Sequence, residues 1–181
     1  MGKCSFRFAR RAFTTSLAAF LTVPANAGSS NGTIAVSLTI SDACAVNGGS
    51  ITSGSLGQIG AISFANQPGI FGDVDAAMIA TGGGGAISVL CSPGLTPQLT
   101  IGTGDNDSNN LRHLASGSNE VAYRLYSDSG RTNEITIGQQ LSLGTATTTA
   151  FEVPIYARVN SEGAVLPGGS YTDTVQVTLA W

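Results

Sequence analysis

The chain is short of charge. Lys, Arg, Asp and Glu make up 10% of its 181 residues, against about 25% in an average soluble domain. That scarcity argues against a disordered solvating chain, a charged coiled coil and a nucleic-acid binder. Histidine occurs once and cysteine three times, so a His/Cys metal cluster is hard to assemble. Lysine is confined to Lys3. After residue 27 the bases are Arg112, Arg124, Arg131 and Arg158, and they face all eleven acids. Such a chain is a poor partner for nucleic-acid phosphates or anionic lipid. No apolar run reaches the roughly 20 residues that a membrane-spanning helix needs.

What is present begins with an export signature. Lys3, Arg7, Arg10 and Arg11 precede an apolar stretch over 12–23, and Pro24-Ala25-Asn26-Ala27 follows it. A basic head, a short apolar middle and an A-x-A end predict a signal peptide over residues 1–27, cleaved after Ala27. Arg10-Arg11-Ala12-Phe13 has the look of a twin-arginine signal. Paired arginines also occur in ordinary signals, so both export routes stay open. Cys4 leaves with the signal. Two cysteines remain, and an even count in an exported chain reads as one disulfide, Cys44 to Cys91. It closes about 46 residues, a constraint of roughly 4 kcal/mol on the unfolded chain.

Helical periodicity is not sustained anywhere. Short β-rich runs recur instead, bounded by Gly, Asn, Ser and Asp. Ile34, Val36, Leu38 and Ile40 alternate with small residues, a period-2 strand with one apolar face. Further strands are expected over 59–64, 86–91, 98–101, 120–127, 134–137, 149–159 and 171–181. Pro154 marks an edge or bulge in the run 149–159. Val175, Val177, Leu179 and Trp181 share one face of the last run. Residues 67–81 and 102–110 read as long connections, with Met78 and Ile79 packed under the first or forming one helical turn. The pattern predicts an all-β antiparallel sandwich or barrel in one domain.

Chemistry is nearly absent. His113 stands in a polar stretch with no G-x-S-x-G elbow elsewhere, so it reads as a surface residue. Asp105-Asn106-Asp107-Ser108-Asn109 opens like a calcium loop. Asn110 and Ser116 then stand where an EF-hand requires glycine and glutamate, and an Asx-rich turn is the plainer reading. The carboxylates Asp73, Asp75, Glu120, Asp128, Glu134, Glu152 and Glu162 are scattered without the pairing of glycoside hydrolysis. Gly82 to Gly85 lacks the Lys-Ser/Thr of a phosphate loop. The chain is not expected to be an enzyme or to need a cofactor or metal.

Five segments together resemble the spore coat protein U domain family, which includes pilins of the archaic, Csu-type chaperone–usher class. They are Ser41-Asp42-Ala43-Cys44-Ala45-Val46, the run 85–91 ending in Cys91, Gly104-Asp105-Asn106 leading to 111–114, the Y-x-L-Y-x-D run 123–128, and the closing run 166–179 with Leu166-Pro167 and Tyr171-Thr172-Asp173. One departure is Thr132-Asn133-Glu134-Ile135, where such families often carry a tryptophan.

The resemblance implies an incomplete immunoglobulin-like antiparallel β-sandwich, completed by a donor strand from a neighbouring subunit. Residues 28–41 would be the donor extension and 42–181 the pilin domain. Ile34, Val36, Leu38 and Ile40 would fill a neighbour's groove, at about 6–12 kcal/mol before ordering costs. Val175, Val177, Leu179 and Trp181 would border the acceptor groove, and the ending at Trp181 fits a fold one strand short. The residues alone leave open an ordinary first strand over 33–41. The implied partners are identical or related subunits in a homopolymer, a periplasmic chaperone and an outer-membrane usher. The implied function is a shaft subunit of a surface pilus serving adhesion and biofilm formation, exported through the periplasm. A minor or tip subunit, or a free-standing secreted binding domain, is the alternative. Pro68-Gly69-Ile70-Phe71 is the candidate exposed loop for such binding.

Overall fold

A computed structural model describes residues 27–181. The expected signal peptide therefore lies, apart from Ala27, outside the described residues. The chain divides into two units after Leu38. In the first, 27–38 forms no helix or strand, and Ile34, Val36 and Leu38 are 91%, 90% and 84% exposed. In the second, 39–43 is equally irregular and Ile40 is 83% exposed. The period-2 alternation over 34–40 predicted a strand, and none forms. A strand exists only where a neighbouring edge takes up its N–H and C=O groups, and no ladder includes these residues.

The rest is all-β, with no helix among the described residues. Twelve strands follow in order: β1 Cys44–Val46, β2 Gly49–Ile51, β3 Gly60–Ile62, β4 Val74–Ala80, β5 Ile87–Cys91, β6 Gln98–Ile101, β7 Arg112–Ser116, β8 Asn119–Tyr126, β9 Gln139–Ser142, β10 Phe151–Val153, β11 Tyr156–Val159 and β12 Val177–Ala180. They form three sheets, ordered β10-β5-β1-β2, β3-β4-β11-β8-β7 and β12-β6-β9. Every strand pairing is antiparallel.

The first hairpin is set by its turn. Asn47 and Gly48 both have positive φ, 48° and 84°, the backbone that a two-residue loop needs to match strand twist. Cys44 then lies opposite Cys91 on β5, and the two form a disulfide with an S–S distance of 2.04 Å. On β5, Ile87, Val89 and Cys91 point into the core while Ser88 and Leu90 point away. Ile87 and Val89 meet Leu99 and Ile101 of β6, Leu125 of β8 and Ala157 of β11 in one buried cluster.

Four expectations are corrected. Residues 67–81 are not one long connection, because 74–80 is a seven-residue strand. Its alternation was hard to read because alanines stand on both faces, with Val74, Ala76, Met78 and Ala80 inward and Asp75, Ala77 and Ile79 outward. The expected strand 149–159 is two strands in different sheets, β10 and β11. Pro154, which has no N–H to give a ladder, stands at the crossing. Residues 134–137 form no strand, and Glu134 makes only an isolated bridge to Tyr126. In 171–181 the regular ladder is confined to Val177–Ala180, with an isolated bridge from Thr172 to Ala115. Strands β1, β2, β7 and β9 are additions that the sequence pattern did not reveal.

Candidate functional site: an apolar groove beside a one-sided strand

Edge strands from all three sheets border a groove. β2 ends the four-stranded sheet, β3 the five-stranded one and β12 the three-stranded one. The groove holds about 1000 Å³. Two stretches supply most of its lining, 51–62 and 173–181. The remainder is core, including Met78, Ile87, Ile101, Leu125 and Ile155. The groove thus reaches core side chains along this line, these five being nearly fully buried in the single chain.

β12 has a ladder on one side only. It pairs with β6, Val177 opposite Ile101 and Leu179 opposite Leu99. Among the described residues no strand pairs with its other edge. An edge of this kind presents unpaired N–H and C=O groups to any extended chain that approaches. Val175, Val177, Leu179 and Trp181 are among its lining residues. The other four, Ile34, Val36, Leu38 and Ile40, lie in the irregular segment described above.

Each border is tied down by a side chain. On the 51–62 border, Asn47 Nδ2 donates to Ile59 O at 2.8 Å, and Ser88 N donates to Asn47 Oδ1 at 3.0 Å. Thr81 Oγ1 adds a bond to Gln58 O. On the other border Asp173 accepts from Tyr123 Oη at 2.6 Å and from Asn106 N and Nδ2 at 3.1 Å. Main-chain bonds continue this border beyond β12: Gly102 N to Gln176 O, Gln176 N to Thr103 O and Asp105 N to Thr174 O. Burial first, then the bond to Asp173, pushes the Tyr123 hydroxyl well above its ordinary pKa.

Behind Tyr123 lies Arg112, 3% exposed. Its guanidinium donates to four main-chain carbonyls, those of Ile101, Gly102, Ile135 and Thr136. Burial lowers its pKa, against the opposing pull of Tyr123, Glu134 and Asp173. Because the carbonyls belong to the end of β6 and to 135–136, one cation fastens two connections at once.

His113, expected on a loop surface, stands in β7 and is half-buried. Its Nδ1 lies 3.1 Å from Leu111 O and 3.4 Å from Ser108 Oγ, with no carboxylate among these partners. Among the described residues no three His, Cys, Asp or Glu side chains converge as metal ligands. Tyr123, Asp173 and Arg112 were not singled out by sequence reasoning. All three stood inside quoted motifs, Arg112 in 111–114, Tyr123 in 123–128 and Asp173 in 166–179, which was the one signal available for them.

An antiparallel β-sandwich with an apolar groove beside a one-sided edge strand defines an immunoglobulin-like fold. The chain belongs to the Spore Coat Protein U domain family, which it matches over residues 30–178. The same fold occurs in a solved CsuC–CsuE chaperone–tip adhesion subunit pre-assembly complex from archaic chaperone–usher Csu pili of Acinetobacter baumannii. The likeness has a TM-score of 0.51 at 16% identity, covering 79% of this chain and 40% of that one. No curated relative matches the chain.

Proposed function

We propose that this protein is a structural subunit of a chaperone–usher surface pilus, and that it polymerises by strand donation. The observation that carries the reading is the one-sided β12 beside an apolar groove, in a chain with a run of exposed alternating aliphatics outside every ladder. At about 3.3 Å per residue, Ile34 to Ile40 spans roughly 20 Å of strand. The border 173–181, nine residues, is long enough to run beside it. One copy's segment seated in the next copy's groove would supply main-chain bonds to β12 and apolar cover to the open core. A periplasmic chaperone would hold the groove first, and an outer-membrane usher would pass the subunit to the cell surface. Family membership supports this reading, as does the pilus setting of the solved complex with the same fold. On this view 28–41 is the donor extension and 42–181 the pilin domain, a scaffold rather than an enzyme.

The test uses the chain lacking residues 28–41, with and without a peptide copying Asn31 to Asp42. Tight binding and a sharp rise in melting temperature are expected. Cooperative melting without any response to the peptide would leave a free-standing secreted domain instead.

A tip or minor subunit is the second reading, favoured by one feature. Loops 67–72 and 160–168 are joined by bonds from Leu166 N to Gly69 O and between Phe71 and the buried Ser161. They hold Ile70 and Val165 at 54% and 75% exposure. Replacing both with Ser would leave polymer length unchanged and reduce surface attachment if this end binds.

A further inference from the structure

Asp173 is the one charged side chain among the residues lining the groove. A carboxylate in apolar surroundings is costly unless its oxygens are bonded. Here no base touches it. Its partners are the Tyr123 hydroxyl, the Asn106 amide N–H and the Asn106 side-chain amide. These partners lie on separate parts of the fold. Tyr123 belongs to β8 in the five-stranded sheet, Asn106 follows β6, and Asp173 leads into β12 of the three-stranded sheet. The carboxylate therefore bridges two sheets across one end of the groove.

The site is also cut to fit. Gly104 packs against the carboxylate so closely that a Cβ there would overlap both Asp173 oxygens. Asn106 Nδ2 also bonds Thr172 O at 3.1 Å, so one side chain grips two successive residues of the border. Ordinary core packing is achieved more cheaply with aliphatic groups of similar size. The polar arrangement, by contrast, specifies one position for the strand that leads into β12.

We infer that Asp173 is a positioning residue for strand capture: through Tyr123 and Asn106 it sets the leading stretch of the free edge before an incoming strand arrives. The inference rests on the strand-donation reading. Without the tie, 174–176 keeps its main-chain bonds to 102–105 and Thr172 keeps its bridge to Ala115 of β7, but Asp173 loses its side-chain bond to β8. An incoming strand would then have to order that edge as it binds, which slows association.

The test uses the full chain in complex with its assembly chaperone and a fluorescent peptide copying Asn31 to Asp42. Two rates are read, capture of the peptide and its later loss. Tyr123→Phe removes one bond to Asp173 and keeps the ring. Asn106→Ala removes the side-chain grip from a loop and guards against a folding defect in the first variant. Each is expected to slow capture about tenfold, the order of one buried hydrogen bond to a charged group, with loss within about twofold of the parent. Capture at the parental rate in both variants would overturn the inference. So would slow capture matched by equally faster loss, which marks a general fold contact. A parent chain that captures no peptide at all would overturn the strand-donation reading itself, and this inference with it.

Discussion

Strands β5 and β12 both turn every second, apolar residue inward, yet β5 is flanked by β10 and β1 while β12 is flanked by β6 alone. The consequence shows in their inward residues. Ile87 and Val89 on β5 are wholly buried, whereas Val177 on β12 is half-buried and Trp181 beyond it is 37% exposed. Alternation in sequence reports a strand with one apolar face, but not how many neighbours the strand has. A sandwich can therefore carry a full complement of core residues and still leave part of that core uncovered. On the strand-donation reading the cover comes from another chain, which turns a folding deficit into a binding site.

The strongest way to break the comparison is to remove the proposed cover. Replacing Ile34, Val36, Leu38 and Ile40 together with Ser forfeits about 6–12 kcal/mol of apolar burial per junction. Polymers are expected to vanish, leaving monomers in unheated gels and in electron micrographs. Circular dichroism of the chaperone-bound subunit should stay unchanged, because these side chains are exposed in the single chain. Surviving polymers would mean that β12 is completed by something else.

The next effect falls on the closed side. Cys44 is the first residue of β1, and its disulfide to Cys91 ties a three-residue strand to the buried β5. Replacing both cysteines with Ala is expected to cost about 4 kcal/mol, read from denaturant melts of polymer and chaperone-bound subunit alike. A cost confined to the polymer would show that the bridge serves the junction rather than the fold.

A matched pair of truncations sharpens the contrast. Val89→Ala deletes wholly buried methyl groups away from the groove and should cost about 2 kcal/mol wherever it is measured. Val177→Ala, half-buried at the groove, should cost about half as much in the subunit without a donor. Once a donor strand covers it, the cost should rise to the same level of about 2 kcal/mol. Equal costs for Val177→Ala with and without the donor peptide would place the incoming strand elsewhere.

Sequence patterning made the all-β class legible, along with the disulfide partners, whereas the alternation over 34–40 predicted a strand that the single chain does not form. These signals are local: a period of two, an even cysteine count, a cluster of turn residues. It failed where local signals are weak or shared. β4 was hidden because Ala76, Ala77 and Ala80 blur which face is apolar. β1 and β2 were too short to show a period, although Asn47-Gly48 marked their turn. The ties at Asp173 and Arg112 were not legible for a deeper reason. Tyr123 and Asp173 are 50 residues apart in the chain, and Arg112 satisfies its charge on main-chain carbonyls that every sequence possesses.

The smallest predicted effect separates the polar end of the groove from its apolar remainder by pH. Burial and the bond to Asp173 raise the Tyr123 pKa above the ordinary 10.0. The folded chain therefore keeps this proton where the unfolded chain loses it. The resulting stability is present in full below pH 10 and drains as pH rises above it, by at most about 1.4 kcal/mol per unit. Tyr123→Phe lacks that slope. The parent should thus lose its advantage over the variant between pH 9 and pH 11 in denaturant melts, while Leu179→Ala should run parallel to the parent throughout. Parallel curves for Tyr123→Phe would mean that the hydroxyl ionises alike in both states, and that water rather than protein surrounds the Asp173 bond.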